Sequence, residues 1–168
     1  RLHDKLEQED QMYFDRMGKA THRMNTLIDD LLLYSHVSRG AELEDRVDLD
    51  LEVKKVLEDL DLELEEKKAI IQVATLPVIK GHRRQLQQLF QNLISNAIKY
   101  TAAGGCITVT VDEVPGEAVI RIKDTGIGIP PHMLEKVFDL FVQVDRSMEK
   151  SHGGIGVGLA IVKRLIEM

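Results

Sequence analysis

Three segments of the sequence combine residue types and spacings that can do chemistry. The first reads Gln88-Leu89-Phe90-Gln91-Asn92-Leu93-Ile94-Ser95-Asn96-Ala97-Ile98-Lys99-Tyr100. On a helix Asn92, Asn96 and Lys99 fall at i, i+4 and i+7, which sets two amides and an ammonium in one row. Such a row is expensive to bury without partners, so it faces either water or a polar ligand. An Asn carbonyl oxygen suits a hard cation such as Mg²⁺, and Lys suits phosphate oxygens. The second segment, Asp124-Thr125-Gly126-Ile127-Gly128-Ile129-Pro130, closes a strand. Its alternate glycines let the backbone approach a flat ligand, and its carboxylate can accept hydrogen bonds from an exocyclic amine. The plainer alternative is a strand-to-helix turn, with Pro130 and Pro131 opening the helix. The third segment, Gly153-Gly154-Ile155-Gly156-Val157-Gly158-Leu159-Ala160, runs straight into the last helix. Glycine costs about 1 kcal/mol in a helix interior relative to Ala, so several at a helix mouth need a reason. Bare N–H groups that hold phosphate are one reason, and close packing of the helix on a sheet is another. Neither glycine-rich segment is a dinucleotide fingerprint or a P-loop, because the third glycine of the one and the GK[ST] of the other are missing.

The elements that must position these residues follow from periodicity. Residues 82–100 carry an apolar stripe of Leu86, Leu89, Phe90, Leu93, Ala97 and Ile98, and form a helix. Cys106 to Val114 and Ala118 to Asp124 read as strands, joined at Pro115-Gly116-Glu117 as a hairpin. Upstream lie a short strand at Val47 to Leu49 and a helix from about Leu51 to Lys67 with Val53, Val56, Leu57, Leu60 and Leu64 on one face. Its other face is a solvated run of Glu, Asp and Lys. A strand at Ile70 to Ala74 and a turn with a short extended piece at Pro77 to Lys80 complete that half. A short helix around Pro131 to Val137, a polar stretch and the closing helix complete the other. The fold class is α+β, a two-layer sandwich with a mixed, mostly antiparallel sheet and helices on one face.

From Glu9 to about Arg39 there is no Pro, and Met17, Ala20, Met24, Leu27, Leu31 and Tyr34 recur near heptad spacing, which predicts one long helix. One apolar stripe needs a partner, either another helix in a coiled coil or bundle, from a second chain, or the rest of this domain.

Composition bounds the function. The 168 residues hold 22 Lys and Arg against 28 Asp and Glu, a formal charge of −6, with 43% hydrophobic and 30% charged residues. That is a globular balance, and it argues against general affinity for nucleic acid or anionic membrane, which clustered Lys and Arg would provide. Cys106 is the one cysteine, so there is no disulfide framework, and a reducing compartment is the expectation. No apolar run reaches the length of a spanning helix. With three Tyr, four Phe and no Trp, a ligand site must be built mostly from aliphatic groups, backbone and amides.

Taken together and in this order, Asn92-x-x-x-Asn96-Ala-x-Lys99-Tyr100, Asp124-x-Gly126-x-Gly128, Phe138-Asp139-x-Phe141 and Gly154-x-Gly156-x-Gly158-Leu159 resemble the N, G1, F and G2 boxes of sensor histidine kinases, in the GHKL ATPase superfamily. Arg23-Met24-Asn25-Thr26-Leu27-Ile28-Asp29-Asp30-Leu31-Leu32-Leu33-Tyr34-Ser35 is similar to the second helix of that family's dimerisation and phosphotransfer hairpin, particularly in phytochrome-like and PAS-linked members. The resemblance implies residues 1–40 as part of that hairpin, 41–46 as linker, and 47–168 as an ATP-binding catalytic domain of the GHKL, or Bergerat, fold. It implies ATP and Mg²⁺ as cofactors, with Asn96 the metal ligand, Lys99 a phosphate contact and Asp124 the acceptor of the adenine amino group. Gly126 and Gly128 would shape the adenine pocket, and Gly154, Gly156 and Gly158 would cradle phosphates. Asn92, Tyr100, Ile129 and Leu159 would join the ATP site, and Phe138 and Phe141 would anchor a lid at 143–153.

The implied activity is transfer of the γ-phosphoryl of MgATP to a histidine, for relay to an aspartate of a response regulator. ATP-hydrolysing members of the superfamily carry Glu four residues before the Mg²⁺ Asn, where this chain has Asn92, which has no useful basicity. Alternatives are a GHKL ATPase and a silent nucleotide-binding or dimerisation module. The phosphoacceptor is expected upstream of Arg1: His3-Asp4 imitates its motif only at the start, and His22 and His36 read as surface or interface residues. The family continues past the last helix into a β-hairpin, which would leave a sheet edge exposed here. The expected partners are ATP, a response-regulator receiver domain and a second copy through the hairpin, with no nucleic acid, in the cytoplasm.

Overall fold

The structure is a computed structural model that describes residues 10–14, 16–18, 20, 21, 24, 45–143 and 156–167. The chain divides into two compact units, residues 1–39 and 40–168. In the first, every described residue between 10 and 24 is helical, as the spacing of Met17, Ala20 and Met24 predicts. The remainder of that stripe, from Leu27 to Tyr34, and His3, His22 and His36 lie outside the described residues.

The second unit runs β1 (Asp45–Asp48), α1 (Leu49–Asp59), α2 (Asp61–Lys67), β2 (Ile70–Val73), β3 (Val78–Gly81), α3 (Arg83–Tyr100), β4 (Cys106–Val114) and β5 (Glu117–Asp124). Two single 3-10 turns (Pro131–Met133 and Lys136–Phe138) and α4 (Gly158–Ile166) follow. β1 begins at Asp45, inside the span expected to be linker, because residues 45–48 pair antiparallel with Val78–Gly81 as a separate two-stranded sheet. Asp48 then caps α1, its Oδ1 accepting from the Leu51 N–H at 3.2 Å.

The single helix expected from Leu51 to Lys67 is two. At Leu60 the N–H is shared between the Val56 and Leu57 carbonyls, φ and ψ leave the α region at −100° and 9°, and α2 restarts at Asp61. Leu60 is buried, so the break preserves the apolar stripe that predicted continuity.

The main sheet has the order β2-β4-β5, with β2 parallel to β4 and β4 antiparallel to β5, so the sheet is mixed. The β4–β5 connection is the tight turn expected at Pro115-Gly116-Glu117, with Gly116 at φ +83°. Ile107, Val109 and Val111 alternate along β4 and are buried on one face, beneath Val53 and Val56 of α1 and Phe90, Ile94, Ala97 and Ile98 of α3. Threonines and charged residues fill the other face, at Thr108, Thr110, Arg121 and Lys123. Glu52, fully buried, pairs with Arg83 and with Lys55 Nζ at 3.1 Å, which ties α1 to the start of α3. The short helix expected near Pro131 to Val137 is instead the two 3-10 turns, closed by i to i+3 bonds from Met133 N to Pro130 O (2.8 Å) and from Asp139 N to Lys136 O (2.9 Å). Val137 is the one buried residue within the two turns, and one apolar anchor does not hold several helical turns.

Candidate functional site

α3 is the backbone of the site. Leu89, Phe90, Ile94, Ala97 and Ile98 bury its core face, which leaves Asn92, Asn96 and Lys99 half-buried on another. The mouth of α4 rests on that row. A Cβ built on Gly158 would lie 3.3 Å from Asn92 Oδ1 and 3.8 Å from Asn96 Nδ2. Asn92 Nδ2 is buried and has no hydrogen-bond partner among the described residues. Val157, Ala160, Ile161 and Val162 are buried and anchor α4. Its N-cap, Val157, supplies no side-chain hydrogen bond, so among the described residues the first N–H groups of α4 are open to a ligand or water. Two buried-side amides thus face the positive end of a helix, an arrangement suited to an anion together with a hard cation.

The second wall is the loop after β5. Asp124 ends the strand opposite Ile107, and its Oδ1 accepts from the Gly126 N–H at 2.8 Å, so one carboxylate oxygen fixes the turn and the other is left for another donor. This loop lies directly on the end of α3. The Ile127 N–H donates to Tyr100 O at 3.3 Å, and a Cβ on Gly126 would stand inside 3.0 Å of that same carbonyl, closer than real Cβ atoms come. Gly126 is therefore required by close approach. Gly128, at φ +70°, is required by conformation, with open space around it. Ile127 and Ile129 are exposed beside it.

Phe141 and Gly156 lie side by side. The Phe141 N–H donates to Gly156 O at 2.9 Å, Gly156 has φ +80°, and its Cβ would meet Val142 O at 2.7 Å. Phe141 is itself left-handed at φ +64° and mostly exposed, an uncommon conformation for a bulky residue and one that concentrates at functional sites. Lys99 places its ammonium 4.9 Å from the centroid of the Tyr100 ring, a cation–π contact at the end of the amide row. Leu159 is half-buried in the first turn of α4.

The structure thus brings Asn92, Asn96 and Gly158 together on one side, and Tyr100, Asp124, Gly126 and Gly128 on the other, with Lys99 on the helix that both sides share. Gly154 and residues 144–153 of the expected lid lie outside the described residues. Sequence reasoning missed the residues that seat the Asp124 loop. Thr125 Oγ1 accepts from the Cys106 N–H at 2.9 Å, and its own N–H donates to Cys106 O at 3.1 Å. Thr101, almost fully buried, and Thr125 enclose Gly105 so tightly that no Cβ fits. Lys67, read as part of a solvated charge run, donates to carbonyls at the end of α3. The Gly104-Gly105 pair between a helix and a strand was the one local signal of this junction.

Among the described residues no group of three or more His, Cys, Asp or Glu is placed to hold a metal ion. A cation here would depend on the amide oxygen of Asn96 and on the oxygens of a bound ligand. That donor set fits Mg²⁺, which keeps few protein ligands and takes the rest from phosphates and water. Among the same residues no helix is long and apolar enough to cross a membrane.

Residues 81–168 match the family described as histidine kinase-, DNA gyrase B-, and HSP90-like ATPase. The phytochrome-like protein Cph1 of Synechocystis sp. is 33% identical over 168 residues, covering 99% of this chain and 22% of that protein. The sensor histidine kinase RppB of the same organism is 36% identical over 161 residues, covering 89% of this chain and 33% of RppB. Among solved structures, full-length ShkA in complex with AMPPNP superimposes with a TM-score of 0.75 at 28% identity, over 95% of this chain and 34% of that one. The chain thus spans between about a fifth and a third of the length of these relatives.

Proposed function

The chain belongs to the histidine kinase-, DNA gyrase B-, and HSP90-like ATPase family, and from that premise we propose that it is the ATP-binding catalytic part of a sensor histidine kinase. In this reading the whole protein transfers the γ-phosphoryl of MgATP to a histidine on a helical hairpin, for relay to an aspartate of a response regulator, and pairs with a second copy through that hairpin. The observation that carries the reading is the close approach of Gly158 to Asn92 and Asn96, which sets a helix mouth without a side-chain N-cap beside two amides while Asp124 closes the other wall. ShkA, solved in complex with AMPPNP, supports an adenosine triphosphate as the ligand.

Asn96 would hold Mg²⁺ through its amide oxygen. When bound, the ion neutralises charge on the phosphates and orients them. The residues of the chain do the rest by positioning. The free oxygen of Asp124 accepts from the adenine amino group, and Gly126 and Gly128 let the backbone approach the ring plane. Tyr100 and Ile129 line that side. Lys99 swings from the Tyr100 ring to a phosphate, and the N–H groups at Gly158 and Leu159, with Gly154 and Gly156 before them, receive the others. Phe141 holds the lid at its base. Asn92 cannot accept a proton from water, so nothing at that position activates a hydrolytic nucleophile. That favours transfer to a histidine over release of phosphate.

Titration of the chain with ATP and Mg²⁺ by calorimetry tests the reading. Saturable binding that is lost on Asp124→Ala and made Mg²⁺-independent on Asn96→Ala is the expected result. Binding unchanged by both substitutions, or no binding by the unmodified chain, refutes it. Phosphotransfer is tested in the longer protein, where radiolabel from γ-labelled ATP should appear as acid-labile phosphate on histidine.

A further inference from the structure

We propose that Lys67, at the end of α2 and outside every motif of the site, is a positioning residue for the nucleotide: it holds the end of α3 on which the Asp124 loop is seated. The inference rests on the nucleotide lying between Asn96 and Asp124.

The last carbonyls of α3 have no intrahelical donor and carry the negative end of the helix dipole. They are satisfied in alternation from two sides. Lys67 Nζ donates to Lys99 O at 3.2 Å and to Thr101 O at 3.5 Å, and the carbonyl between them, Tyr100 O, accepts from the Ile127 N–H. The backbone of Lys67 joins the same junction, its carbonyl accepting from the Gly104 N–H at 3.0 Å. Lys67 is half-buried, whereas Glu63, Glu65 and Glu66 on the same helix are exposed. One side chain therefore fixes the two carbonyls that flank the seat of Ile127 and Gly126. Because Gly126 has no clearance above Tyr100 O, a shift of that carbonyl moves the loop that carries Asp124. A cation is suited to this place, since one ammonium carries three donors and both acceptors sit at a helix C-terminus.

The test uses the 168-residue chain and its variants Lys67→Met and Lys67→Arg, with Lys54→Met, exposed on α1, as a charge-matched control. Dissociation constants for ATP, ADP and AMP are measured by calorimetry well below the unfolding temperature of the weakest variant. Amide exchange at Ile127 is followed by NMR without nucleotide. Lys67→Met should weaken all three nucleotides by a common factor of about five and speed exchange at Ile127 by a similar factor, the worth of one hydrogen bond. Lys67→Arg should restore both, and Lys54→Met should change neither. A lower thermal midpoint for Lys67→Met with unchanged affinity and unchanged Ile127 exchange would reduce Lys67 to a helix cap and overturn the proposal, as would a loss confined to ATP. Should the unmodified chain bind no nucleotide, the reading of the site fails, and Ile127 exchange then decides the seating alone: unaltered exchange in Lys67→Met overturns it.

Discussion

The two walls of the site are built by opposite means. The Asp124 wall is backbone laid on backbone: Ile127 N bonds Tyr100 O, Thr125 bonds Cys106 in both directions, and Gly126 leaves no space above the end of α3. The Gly158 wall meets α3 through side-chain amides, with 3.3 Å from a Cβ on Gly158 to Asn92 Oδ1, and its approach passes through two left-handed residues, Phe141 and Gly156. A wall of interlocked backbone has one position, because every displacement breaks several bonds together. The Gly158 wall, though anchored by buried Val157, Ala160, Ile161 and Val162, faces the amide row through side-chain tips that can turn by a rotamer. The difference suits a ligand whose base must be read in fixed register while its phosphates are received by a surface that adjusts.

Gly126→Val should have the largest effect. The Tyr100 carbonyl has nowhere to go, so we expect a stability loss of about 3 kcal/mol, measured by urea unfolding, and nucleotide affinity reduced at least tenfold for AMP and ATP alike. A variant that folds and binds normally would show that the Asp124 wall is as adjustable as the other.

Gly156→Ala comes next. Its left-handed φ and the Val142 oxygen 2.7 Å from the new Cβ together cost about 2 kcal/mol. The loss should fall on the phosphate side alone, weakening ATP while leaving AMP within about twofold. An equal loss for both nucleotides would mean that the walls move as one. Thr125→Val, smaller again, removes the acceptor of the Cys106 N–H, and about 1 kcal/mol of stability should go with it. AMP and ATP should weaken by the same factor, about threefold, in parallel calorimetric titrations.

Local features of the fold and the site are readable in the sequence, and long-range ones are not. Helix α3, the β4–β5 hairpin and the row of Asn92 and Asn96 are local: periods of 3.6 and 2 and a Pro-Gly turn specify them within a few residues. The pairing of β1 with β3 joins residues about thirty positions apart, and no period records it. The break at Leu60 escaped because the buried residue at the break continues the apolar stripe. The 3-10 turns near Pro131 escaped because proline marks a helix start whether or not enough apolar surface follows to hold it. In the site, resemblance to a family brought the four boxes together, whereas residue spacing alone left each open to a plainer reading. Lys67 was hidden altogether, since a lysine in an acidic helix looks like any solvated charge until the carbonyls it serves, over thirty residues away, are in place.

The smallest expected effect is the most informative about the adjustable wall. At Gly158 an added Cβ meets Asn92 Oδ1 at 3.3 Å, a contact that is tight but opposed only by a side chain able to turn. Gly158→Ala should therefore change stability by no more than about 0.5 kcal/mol, yet weaken ATP by about threefold, because Asn92 must rotate and carry its amide out of line with Asn96. If the cause is that rotation, the penalty depends on Asn92. In an Asn92→Ala background the same substitution has nothing to displace, and its effect on ATP affinity should vanish, so that the double-mutant cycle returns a coupling close to the whole single-mutant loss. A threefold loss that persists without Asn92 would place its origin in the backbone of the helix mouth. The Gly158 wall would then be set by main chain, as the Asp124 wall is.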